Sequence, residues 1–60
     1  MDIYENILQY LQSICSEVVC DLHCIVAFKG QYKIEYYKNI KKLYIYDLDT
    51  GYLIKRCIFS

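Results

Sequence analysis

The fold is decided by residues 22–38, LHCIVAFKGQYKIEYYK, in which two alternating runs flank a single glycine. Alternation with a period of two is typical of β-strands, because successive side chains point to opposite faces. Gly30-Gln31 stands between the runs, and glycine readily adopts the positive φ that tight hairpins need. The stretch therefore predicts two antiparallel strands, at about 22–29 and 32–38.

Two further runs follow this hairpin. The segment 43–46, LYIY, alternates leucine and isoleucine with tyrosine, and the last run alternates up to Phe59. Between them lies 47–51, DLDTG, whose residue types favour a turn. The pattern predicts strands at about 42–47 and 52–59, and hence a four-stranded antiparallel meander.

The N-terminal third has helical periodicity. Asp2 followed by Glu5 has the spacing of a capping box, and both charges favour the positive end of a helix dipole. An amphipathic helix is predicted from about residue 2 to about residue 19. We expect an α+β fold in a single domain, 1–60, with the helix packed on one face of the meander. The apolar stripe of the helix consists of Ile3, Ile7, Leu11, Ile14 and Val18.

The chain has more apolar surface than its length can bury. It has 60 residues, of which 57% are hydrophobic and eight are tyrosine. A domain this small buries only roughly 60% of the surface that its unfolded chain exposes. One helix covers one face of a sheet, and we expect Ile25, Tyr37, Tyr44, Tyr46 and part of the last strand on the other. This excess predicts a binding partner.

The tyrosines have three interpretations. Tyrosine is favoured in protein interfaces, since its ring supplies area and its hydroxyl finds a polar partner. Aromatic rings beside lysines also stack single-stranded bases, and tyrosine pairs well across strands. The first interpretation is preferred, because seven basic residues balance seven acidic ones and a strong electrostatic attraction to nucleic acid is not expected. The predicted partner-binding residues are Tyr37, Tyr44, Tyr46, Ile54, Arg56 and Lys42.

The spacing of the four cysteines and the single histidine predicts neither a metal site nor a catalytic site. Cys20, His23 and Cys24 form one irregular cluster, whereas structural zinc sites use two short-spaced ligand pairs. A catalytic cysteine would need a histidine base within hydrogen-bond reach and a third group that orients this base. We therefore expect no catalytic residue, metal or cofactor, and a protein that is not an enzyme. Cys57-Ile58-Phe59-Ser60 fits a prenylation motif, but the alternation that runs through it favours a terminal strand.

The beginning of the chain is acidic, unlike a signal peptide, and no stretch approaches the ~20 apolar residues of a membrane span. We expect a cytoplasmic protein with reduced thiols and no membrane partner. Abundant isoleucine, lysine and tyrosine indicate an AT-rich genome, such as that of a phage, virus or mobile element. The chain is predicted to be a small protein-binding module that forms a homodimer and acts as an inhibitor or adaptor of a larger host complex. Binding of single-stranded nucleic acid is the alternative.

Overall fold

The computed structural model describes residues 3–59, in which one helix packs on a five-stranded antiparallel sheet. The strands lie side by side in sequence order, from the first at one edge to the last at the other. The α+β class and the meander are confirmed, but the sheet has five strands where four were predicted. The elements are α1 (Ile3–Ile14), β1 (Glu17–Cys20), β2 (Cys24–Lys29), β3 (Tyr32–Tyr37), β4 (Lys42–Asp47) and β5 (Leu53–Ile58).

The fifth strand comes from the end of the predicted helix. The helix ends at Ile14, and the prediction that it continues to residue 19 is wrong. Backbone N–H and side-chain hydroxyl of Ser16 both donate to the carbonyl of Phe28, at 3.0 and 3.1 Å, and this directs the chain along β2. Val18 and Val19 then pair with β2, because β-branched residues favour strands and an edge strand offers unpaired backbone groups. The predicted N-cap residue, Asp2, lies outside the described residues.

The core forms between α1 and the near face of β2 and β3. Ile7 and Leu11 of the helix are buried against the sheet, and Leu11 is nearly inaccessible. Ile25 is also fully buried there, so its predicted position on the uncovered face is wrong. Both faces of β2 are apolar, and its pairing with β3 determines which one lies under the helix. The remaining buried residues are Ala27, Ile34 and Tyr36.

Two glycine turns form as predicted. Gly30 has φ +58° between β2 and β3, and Gly51 has φ +78° between β4 and β5. In the second turn the Gly51 N–H donates to the carbonyl of Asp47 at 2.7 Å, and the Asp49 N–H donates to the Asp47 carboxylate at 2.8 Å. Lys41, between β3 and β4, also has a positive φ of 54°, which is uncommon for a residue with a Cβ.

Candidate interaction surface

One face of the sheet is not covered by the helix. Side chains that alternate with the core residues along each strand point away from α1. We call this surface the open face, and most of its central members are only half-buried. The open face consists of Glu17, Val19, Cys24, Val26, Phe28, Lys33, Glu35, Tyr37, Lys42, Tyr44, Tyr46, Leu53, Arg56 and Ile58.

Three tyrosine rings form a continuous group on this surface, the tyrosine patch of Tyr37, Tyr44 and Tyr46. The rings of Tyr37 and Tyr44 meet edge to face, with centroids 5.7 Å apart and planes at 73°. The rings of Tyr44 and Tyr46 are 6.3 Å apart and tilted by 30°. Lys33 Nζ lies 5.9 Å from the Tyr46 ring centroid. Because each ring is held by its neighbour, the patch loses little side-chain freedom on binding.

A carboxylate anchors one end of the patch. The Tyr37 hydroxyl donates to Glu35 Oε1 at 2.7 Å, and Lys33 Nζ lies 3.0 Å from Glu35 Oε2. Partial burial alone would raise the pKa of Glu35, but the hydrogen bonds from Tyr37 and Lys33 and the lysine charge outweigh it and lower that pKa. The hydrogen bond to Glu35, assisted by desolvation, raises the pKa of Tyr37 to about 12.

Because of the Tyr37–Glu35 hydrogen bond, we expect the free energy of unfolding to decrease at alkaline pH. Since the pKa of Tyr37 rises from 10.0 to about 12 on folding, the contribution is fully present below pH 10 and is lost as pH rises toward 12. We expect Tyr37→Phe to reduce the fall in the free energy of unfolding across this interval. Urea titrations of both proteins at a series of pH values measure the difference. Parallel stability curves would contradict this role of the contact.

The structure brings together five of the six residues predicted to bind a partner. Arg56 pairs with Tyr44 and Lys42 pairs with Tyr37, so both cations lie beside the tyrosine patch. Ile54 does not join them, because the register shifts between Ile45 and Tyr46, and Ile54 lines a depression on the helix side.

Sequence reasoning missed several apolar and charged residues of the open face. Phe28 and Lys33 are directly opposite each other, as are Val26 and Glu35. Alternation showed that these residues share a face within their own strands, but only the register between strands shows that they adjoin the tyrosines. Glu17 was missed for a different reason, since it was assigned to the helix.

A second exposed surface lies on the helix side. The helix lies over β1 and β2, and among residues 3–59 no other element covers the near face of β4 and β5. The resulting depression has a volume of about 510 Å³, and we call it the helix-side groove. Its lining is almost wholly apolar. The groove is lined by Ile3, Asn6, Ile7, Tyr10, Leu11, Ile14, Ile34, Leu43, Ile45, Cys57 and Phe59.

The thiols and the histidine form no cluster for a metal ion within the described part of the chain. Residues 3–59 contain no group of three or more histidine, cysteine, aspartate or glutamate side chains that could hold a metal ion. All four cysteines are free, and burial raises the pKa of the Cys15 thiol. Cys57 lies in β5 opposite Leu43, which confirms a strand at this end of the chain.

The chain matches no protein-family model, no curated protein and no solved structure. None of the helices within residues 3–59 has the length and apolar character that crossing a membrane requires.

Proposed function

We propose that this chain is a small protein-binding module that docks through its open face and acts as an inhibitor or adaptor of a larger protein complex. The observation that carries the proposal is the tyrosine patch, in which the Tyr44 ring contacts both Tyr37 and Tyr46 on the sheet face opposite α1. Tyrosine is enriched among the residues that dominate binding energy at protein interfaces.

The surroundings of the patch resemble a protein interface in composition. Val26, Phe28 and Leu53 supply apolar area around the rings, and Lys42 and Arg56 add cations at one side. Interfaces combine a core of aromatic and aliphatic side chains with a polar rim in this way. The one carboxylate near the centre, Glu35, already has partners in Lys33 and Tyr37, so burying it costs less than burying a lone charge.

Single-stranded nucleic acid is the second candidate ligand, because Lys33, Lys42 and Arg56 lie beside rings that could stack on bases. Glu35 and Glu17 on the same face, and the balance of seven basic and seven acidic residues, weigh against it. Such binding would weaken steeply with salt. No change in the anisotropy of a labelled oligonucleotide at low ionic strength would remove this candidate.

We place the module in the cytoplasm of its host. The four free cysteines, one of them exposed, fit a compartment that keeps thiols reduced. The content of isoleucine, lysine and tyrosine supports an AT-rich phage, virus or mobile element as its source.

Replacing Tyr44, the central ring of the patch, tests the proposal. We expect Tyr44→Ala to weaken partner binding by roughly 30-fold or more, the effect of losing an interface hot spot. Wild type and variant are immobilised in parallel, and the proteins that each retains from host extract are quantified by mass spectrometry. Circular dichroism checks that the variant keeps its native spectrum.

The matched control is Tyr52→Ala. Tyr52 is 76% exposed and belongs to the turn before β5, outside the patch. A protein that docks on the open face should be retained equally by wild type and Tyr52→Ala and lost from Tyr44→Ala. Equal retention by all three baits would overturn the assignment of this surface.

A further inference from the structure

The charges of the open face are unevenly distributed across the sheet. Glu17 lies on β1 at one edge, whereas Lys42 and Arg56 lie on β4 and β5 toward the other. Lys33 and Glu35 on β3 neutralise each other in a 3.0 Å ion pair. One side of the open face is therefore acidic, the other is basic, and the apolar and aromatic residues lie between them.

From this arrangement we infer that a second copy of this chain covers the open face. The inference rests on the proposed function, because it names the first partner of the same surface. The two sheets pack face to face about 10 Å apart, as in an aligned β-sandwich. A two-fold axis parallel to the strands and passing by β3 places β5 of each copy over β1 of the other. The register then places Arg56 of one copy opposite Val19 of its partner, two residues along β1 from Glu17, where its long side chain reaches the Glu17 carboxylate.

The size of the open face is sufficient for a weak specific dimer. Five strands about 4.8 Å apart and about 20 Å long give a footprint of roughly 480 Å² per copy. The total of about 1,000 Å² is at the lower limit for a specific interface. We expect a dissociation constant that is about micromolar or weaker. Even interfaces larger than this one include complexes with micromolar dissociation constants.

Charge also selects this arrangement over a second symmetric one. A two-fold axis perpendicular to the strands would place β5 over β5 and bring Arg56 near its own copy, which like-charge repulsion disfavours. Pairing the β5 edges of two copies is disfavoured for the same reason, since Lys55 and Arg56 occupy the middle of that edge. Opposite charges meet only when β5 faces β1.

The helix side is unsuited to a second copy. Beside the helix-side groove stands α1, whose outer side carries exposed polar residues along its whole length. Burying these side chains against the apolar helix-side groove would leave their polar groups without partners. The dimer through the open face therefore leaves both grooves accessible. The polar residues on the back of α1 are Glu5, Gln9, Gln12 and Ser13.

Two charge reversals test the inference, with sedimentation equilibrium in the presence of a reductant as the measurement. Glu17→Lys and Arg56→Glu should each raise the dimer dissociation constant at least about tenfold, because each places like charges together twice in a symmetric dimer. An equimolar mixture of the two variants should recover a dimer close in affinity to wild type, since each contact again joins opposite charges. Asp49→Lys, in the exposed turn after β4, is the control for net charge and should dimerise like wild type.

A monomeric wild type at every soluble concentration would overturn the inference. Variants that dimerise as well as wild type, or a mixture that stays monomeric, would also overturn it. The proposed function fails by a different result, namely equal retention of host proteins by the Tyr44→Ala and wild-type baits. A monomer whose Tyr44→Ala variant loses its host partner would keep the proposed function and reject the dimer.

Discussion

Tyr36→Ala should remove at least about a third of the free energy of unfolding. The Tyr36 side chain is fully buried, and its ring packs 6.0 Å from Phe59 and 6.4 Å from Tyr4 between centroids. Truncating a buried aromatic residue to alanine costs about 3–5 kcal/mol. A domain of this length has a free energy of unfolding of about 3–9 kcal/mol in total. Urea denaturation followed by far-ultraviolet circular dichroism measures the loss.

Tyr52→Ala is the matched control for this variant. It removes the same side chain from a position that is 76% exposed, and we expect a change within about 0.5 kcal/mol. A cooperative urea transition of Tyr36→Ala with a midpoint near that of wild type would show that this tyrosine is not the centre of the core.

Ile25→Asn should cost about 4 kcal/mol of stability. Ile25 is fully buried under α1, in contact with the cluster that contains Leu11 and Tyr36. The substitution removes a buried aliphatic side chain, worth about 1.5–3 kcal/mol, and introduces an amide that has no partner there. Thermal and urea denaturation of the purified variant, or its failure to accumulate as folded protein, would report this cost.

Val26→Asn provides the comparison, because it makes the same change at the next residue of the same strand. Val26 points to the open face and is half-buried, so we expect a cost of about 1 kcal/mol. The difference between the two variants measures which face of β2 lies under the helix. Equal costs at both positions would contradict the face assignment. In the proposed dimer Val26→Asn should also weaken association, since it places an amide in the apolar part of the interface.

A dimer that uses the open face would give the module two kinds of surface. Each copy would contribute its tyrosine patch to the shared interface and keep its helix-side groove, of about 510 Å³, directed outward. Because the expected dimer is weak, its dissociation would free the open face for the larger complex, so the second copy and the complex would compete for one surface. A monomer would instead present the open face directly to the larger complex.

The hairpins and their turns could be predicted from the sequence. Alternation over residues 22–38, with Gly30 at its centre, reflects backbone preferences that act over a few residues. The same holds for the turn that ends at Gly51. The four predicted strands begin and end within two residues of their predicted limits, because period and turn chemistry are local properties that tertiary contacts did not override.

The tyrosine patch and its surroundings could be predicted only in part, because alternation acts within one strand whereas contacts between strands depend on register. Tyr44 and Tyr46 lie two residues apart in one strand, so alternation alone places them on the same face. The neighbours of these rings on β2, β3 and β5 depend on register, and a shift by one residue would move a whole strand's side chains to the other face. Ile54 shows this dependence, since the register shift between Ile45 and Tyr46 separates it from the tyrosine patch.

By itself the sequence determined that this chain forms a helix followed by an antiparallel meander with an excess of aromatic surface. Only the tertiary structure decided that residues 17–20 leave the helix to become β1, and that Ile25 lies inside while Val26 lies outside. Both outcomes depend on contacts between distant residues. Residues 17–20 could satisfy their backbone groups in either state, and the free edge of β2 favoured the strand. The two faces of β2 are similarly apolar, and the position of α1 distinguishes them.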